Sequence, residues 1–241
     1  MLKENTKKRY ILICFLVAST GFLQSQSLNY AEIFGDDWNK ALTFESENKS
    51  WMEPLLAENG IPYPVAIAVI FPELVRYSAL RDKMEITVLK ALYINLGDEY
   101  ANFSIGRFQM KPSFAWMIRE QSAVFIGRKS GSLFKQEHKN DDIRDYRKKI
   151  IEDLEDPQTQ FNYLIAFLKI CEKKYRLNRK DESGKIRFLS TAYNYGIDKT
   201  ATRIDSMINR KFFNTKLFST ENYSYADVSI YWYNQYQSEN K

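Results

Sequence analysis

The chain has 241 residues, is 44% hydrophobic and 15% aromatic, and carries a formal net charge of +5. Its one histidine, His138, and its two cysteines, Cys14 and Cys171, leave no base for a Ser-His or Cys-His nucleophile and too few ligands for a zinc site, so no metal or other cofactor is expected. No G-x-x-x-x-G-K-[ST] or G-x-G-x-x-G stretch offers a phosphate cradle, which leaves carboxylate chemistry.

At the start, Lys3, Lys7, Lys8 and Arg9 precede an uncharged run from Tyr10 to Leu23, and small or polar residues follow at Ser25 to Ser27. This reads as a secretory signal peptide over residues 1–26, with an uncleaved anchor as the alternative because no A-x-A is present. The segment holds four basic residues against Glu4, so its removal lowers the net charge from +5 to +2. Most of the case for a nucleic-acid partner goes with it. Cys171 then has no partner for an intramolecular disulfide, and stability must come from packing. Residues 27–241 are a comfortable size for one domain, and there is no internal repeat or low-complexity tract.

Apolar positions recur at helical spacing along nearly the whole chain, which predicts a mainly α fold. A helix is expected over Asn29 to Lys49, with Trp38, Leu42 and Phe44 inward, then a short one over Trp51 to Glu58 capped by Asn59-Gly60. The helix from Pro64 is apolar all round and so central, and Pro72 is expected to kink or end it just before Glu73. Asp82 to Leu96 carries Met84, Val88, Leu89, Leu92, Tyr93 and Leu96 on one face and stops at Gly97. Asp98 to Ser104 is placed as an irregular loop or small hairpin, and Pro112 starts a helix with Phe114, Trp116 and Met117. Arg128 to Asn140 is polar, basic and glycine-flanked, the best candidate for a mobile loop. Helices follow over Asp142 to Leu154, from Asp156-Pro157 through Tyr175, and over Lys185 to Asn194 with Gly196 as the stop. Residues 210–224 look irregular, and Tyr225 to Gln237 reads as a final helix whose Tyr231, Trp232 and Tyr233 serve docking more than sugar stacking.

Three stretches carry the chemistry: Glu73 after a buried helix, Gly106-Arg-Phe-Gln109-Met110-Lys-Pro112, and Ala192-Tyr193-Asn194-Tyr195-Gly196. A lone carboxyl at an apolar helix can be desolvated and held near neutral pH as a proton donor. Acid, then G-x-x-Q-x-x-P, then A-Y-N-x-G resembles the lysozyme-like lytic transglycosylases that cleave peptidoglycan, over roughly residues 60–200. The resemblance implies a lysozyme-like domain with N- and C-terminal helical extensions and a small irregular or hairpin loop at the cleft. It further implies Glu73 as the single acid and base, Tyr193 within hydrogen-bonding reach of it, and Gly106, Gln109, Met110 and Asn194 as substrate-binding residues. Leu74 stands where the family has Ser, and Glu73 and Gly106 are 33 residues apart where about twenty is usual, so remodelled subsites are expected.

The implied activity breaks the bond between N-acetylmuramic acid and N-acetylglucosamine and leaves 1,6-anhydro ends. Two alternatives stay open. One is a hydrolase whose second carboxylate is Asp98 or Glu99, with Glu85 a weaker candidate. The other is a catalytically silent glycan-binding scaffold of an envelope complex. The expected partner is the peptidoglycan strand, met by an exported, periplasmic or secreted monomer, with envelope or secretion-complex partners left open.

Overall fold

A helical chain must hide one stripe of every helix, and here one helix hides its whole circumference. The structure, a computed structural model, describes residues 28–79, 83–101, 103–127, 133–134, 142–215 and 221–240. The expected signal peptide, His138 and, apart from Leu133 and Phe134, the expected mobile loop at Arg128 to Asn140 lie outside the described residues. The protein is mainly helical, with ten α-helices among the described residues. None of these is long and apolar enough to cross a membrane.

α1 (Tyr30–Phe34) is capped by Asn29, whose side chain accepts from the Glu32 amide, and it ends at Gly35 with φ +51°. α2 (Asp36–Glu58) then runs unbroken, so the break expected between Lys49 and Trp51 falls at Gly35 instead. Pro54 is tolerated because the carbonyl it leaves without a donor belongs to exposed Ser50. Of the residues expected to face inward, Trp38 is buried, but Leu42 is exposed while Ala41 and Glu45 are buried in its place. The glycine cap holds: Gly60 has φ +67° and the Ile61 amide donates to the Leu56 carbonyl.

α3 (Tyr63–Ala79) is the axis, with Ala66 to Phe71 wholly buried. It packs against α2, against α8 (Glu182–Tyr195) and against α10 (Tyr225–Glu239). Of the kink or end expected at Pro72, the end does not occur, and Glu73 therefore sits inside α3 rather than at its terminus. Packing on several sides outweighs the lost donor, and from α10 the Tyr225 hydroxyl donates to the Val69 carbonyl (3.2 Å), beside the Ala68 carbonyl that Pro72 cannot reach.

α4 (Lys83–Leu96) lies at the margin, packed chiefly on α6 (Ile143–Glu155). Only the Tyr93 side of its predicted face is buried, and Val88, Leu92 and Leu96 remain exposed. α5 (Pro112–Phe125) and α7 (Pro157–Tyr175) start with the expected prolines, and Asp156 caps α7 by accepting from the Thr159 amide. A 3-10 turn at Leu177–Arg179 leads to α8, which stops at Gly196; α9 (Ala201–Asp205) follows. The stretch expected to be irregular contains a small antiparallel pair, β1 (Lys211–Phe213) and β2 (Tyr223–Ser224). In α10, Trp232 is buried and stacks on Phe71, and Tyr231 packs on Trp38, so these aromatics dock the helix.

Candidate active site

The glycine turn is a four-residue loop, Gly106 to Gln109, closed by paired hydrogen bonds between Ile105 and Met110 (2.9 and 3.1 Å). Gly106 has φ +69°, and a Cβ there would meet the Leu154 carbonyl at 2.5 Å and Gln160 Oε1 at 2.6 Å. Its requirement for glycine is thus the close approach of the junction between α6 and α7. Gln160, wholly buried, clamps the loop by donating to the Ile105 carbonyl (2.6 Å) and accepting from the Phe108 amide (3.2 Å). Arg107 at the tip lies over the rings of Tyr77 (4.4 Å) and Phe44 (5.0 Å).

From α8, Tyr193 donates to the Phe108 carbonyl (2.7 Å). The phenol's own proton is thus given to the turn, a second role beside the one expected of it. The phenol lines the same groove as Glu73 and its ionisation is opposed by that charge, but its hydrogen bond anchors the turn. Tyr193→Phe should remove about 1 kcal/mol, the usual net worth of one hydrogen bond, and lower the Tm by about 2–4 °C while the helical spectrum stays unchanged. Calorimetry with circular dichroism checks this, and an unaltered Tm would mean the bond carries no weight.

Glu73, 3% exposed, lies in a groove of about 480 Å³ that brings together Gln109, Met110, Tyr193 and Asn194. Gly106 underlies the turn rather than lining the groove. The Gln109 side chain bends back to donate to the Gly106 carbonyl (3.0 Å), and Asn194 is exposed at the rim. Burial pushes the Glu73 carboxyl above its ordinary value; Arg76, the Tyr225 hydroxyl and Lys111 pull the other way. Arg76 donates through one nitrogen, Nη1, to both carboxylate oxygens (2.9 and 3.0 Å). The hydroxyl facing the acid is therefore that of Tyr225, placed between Glu73 and the Val69 carbonyl. Burial raises both phenols, so each stays protonated. With Glu73 protonated, Tyr225 can accept from the acid and donate to Val69.

The second carboxylate of the alternative hydrolase reading, Asp98 or Glu99, does not line this groove. Asp98 and Glu99 are exposed on the turn after α4, and the Glu85 side chain lies outside the described residues. Asp198 lines the groove instead, ion-paired with Lys199. Arg76, Tyr225, Gln160 and Asp198 are the contributors that sequence reasoning missed. Arg76 alone had a local signal, since residues i and i+3 share a helix face once the helix is continued past Pro72. Among the described residues, no group of three or more His, Cys, Asp or Glu could hold a metal. No protein-family model, curated protein or solved structure matches the chain.

Proposed function

We propose that the protein is a divergent lysozyme-like lytic transglycosylase that cleaves peptidoglycan with Glu73 as its only catalytic carboxyl. The observation that carries this reading is a single buried glutamate in a groove lined by Gln109, Met110, Tyr193 and Asn194, residues 36 to 121 positions away from it in the chain. Such a carboxyl, raised by burial, hydrogen-bonded to the protonated Tyr225 phenol and sharing its groove with that of Tyr193, is suited to deliver a proton.

In the reaction, protonated Glu73 gives its proton to the glycosidic oxygen as the bond to the muramoyl C1 breaks, and the N-acetylglucosamine leaves as an alcohol. The sugar's acetamido group supports the positive charge at C1. The Glu73 carboxylate then takes the proton from the C6 hydroxyl as that oxygen bonds to C1. Glu73 ends protonated and no water is consumed. The remaining groove residues orient the glycan, which is the positioning such chemistry requires.

The test is incubation of the protein with purified peptidoglycan and mass spectrometry of the released fragments. Ends in 1,6-anhydro-N-acetylmuramic acid, one water lighter than hydrolytic products, are expected. The position of Asp198 favours one second reading, a hydrolase with Asp198 activating water. Reducing muramic acid ends, lost in Asp198→Asn, would decide for it. Binding of glycan without release would decide for a silent scaffold.

A further inference from the structure

A proton donor held by an arginine poses a problem, because the guanidinium stabilises the ionised form that cannot donate. Both Arg76–Glu73 hydrogen bonds use Nη1, so the guanidinium meets the carboxylate end-on instead of as the two-nitrogen fork that makes such pairs strong. The pair is also lopsided in burial: the glutamate side chain is 3% exposed and the arginine 23%. Arg76 is thus the half that reaches solvent, and it lines the groove beside its partner. Its guanidinium rests over the Phe213 ring (4.8 Å), which keeps it near the groove whether or not it holds the acid.

Resting on the reading of Glu73 as the acid, we propose that Arg76 is a substrate-sensing residue. It holds Glu73 ionised in the free protein and is drawn off by a carboxylate on the bound glycan, which leaves the acid to protonate. The ligand chemistry is a sugar bearing a carboxylate, supplied by the lactyl ether of a muramic acid without a peptide or, where that carboxyl is bound as an amide, by the peptide's own carboxylate. The groups facing Glu73 make Arg76 the movable one. From α10 and α8 come Tyr225 and Tyr193, both kept neutral by burial, and Lys111 precedes α5. At the lip, Lys199 is occupied by Asp198. Arg76 is the only one of these with direct hydrogen bonds to the carboxylate from a charged donor, and it is the largest influence opposing burial. An incoming carboxylate that takes this donor lets burial dominate.

The test follows the Glu73 carboxyl by carbon NMR titration of glutamate-labelled protein, its signal identified by its loss in Glu73→Gln. In the wild type, N-acetylmuramic acid should raise the titration midpoint and neutral N-acetylglucosamine should not. In Arg76→Met the midpoint should already be higher, should not respond, and N-acetylmuramic acid should bind about 10- to 100-fold more weakly, the usual loss for one charge-assisted hydrogen bond. Arg76→Lys, which keeps one charged nitrogen, should restore the response and covers the case in which Arg76→Met fails to fold. A response to muramyl dipeptide alone assigns the signal to the peptide carboxylate, and a response to N-acetylmuramic acid assigns it to the lactyl group. An unchanged midpoint in Arg76→Met, or an equal response to N-acetylglucosamine, overturns the proposal. Cleavage of peptidoglycan without any such response leaves the function and removes the sensor; the response without cleavage does the reverse.

Discussion

Glu73→Gln should lower turnover by about 100- to 10,000-fold, the usual contribution of general acid-base catalysis, and should at the same time stabilise the protein at neutral pH. Burial holds the folded-state value of Glu73 above the ordinary value of a glutamate. For a carboxyl raised on folding, the folded state binds the proton more tightly, so the stabilising contribution is complete below the unfolded value and is lost as pH rises through the folded one. Glutamine never acquires the buried charge. The Tm advantage of the variant should therefore be small near pH 4 and grow toward pH 8. Arg76 loses its partner, but its partial exposure lets water replace the bond at little cost. Thermal melts across that range check the sign. A variant less stable at every pH would mean that the ion pair outweighs burial.

Gly106→Ala should give the largest loss of stability, about 2–4 kcal/mol, read from the shift in denaturant midpoint at constant slope. Two terms add. A left-handed residue with a Cβ costs about 1–2 kcal/mol, and the new methyl meets the Leu154 carbonyl at 2.5 Å, which is backbone and gives way only if α6 or the turn moves. Gly60→Ala is the internal control. Its φ of +67° is nearly the same, but nothing lies within 4 Å of the added carbon, so only the conformational cost of about 1–2 kcal/mol should appear. Equal losses at the two sites would mean that the close approach at Gly106 relaxes without effort. Because the turn carries Gln109 into the groove, Gly106→Ala should also depress turnover in the fraction that remains folded.

The contrast between these glycines marks how far the sequence could be read. Local chemistry was legible: the Asn59-Gly60 cap, the Asp156-Pro157 start of α7 and the Gly196 stop of α8 each depend on a few neighbouring residues, and each lies where expected. Glu73, Gln109, Tyr193 and Asn194 line one groove, a meeting that the resemblance implied and that no local pattern in the sequence could supply. What failed was whatever depends on packing from elsewhere in the chain. Pro72 reads as a breaker, yet α2, α8 and α10 hold α3 helical through it. Val88, Leu92 and Leu96 repeat like an inward face, but among the described elements α4 packs chiefly on α6. Gln160 and Tyr225 carry no pattern of their own, since one is a polar residue inside an apolar helix and the other heads a helix beyond the stretch with any resemblance.

Tyr225 ties the groove to a distant part of the chain. Its hydroxyl meets the Val69 carbonyl across 156 residues of sequence, and its other neighbour is the acid itself. The stretch up to α9 supplies Arg76, the glycine turn and Tyr193, whereas the hydroxyl hydrogen-bonded to Glu73 comes from α10. The surroundings of the Glu73 carboxyl are complete only when α10 docks on α3. A variant truncated before Tyr225 would keep Glu73, Arg76, Gln109 and Tyr193 and lose one of the groups that set the environment of the carboxyl.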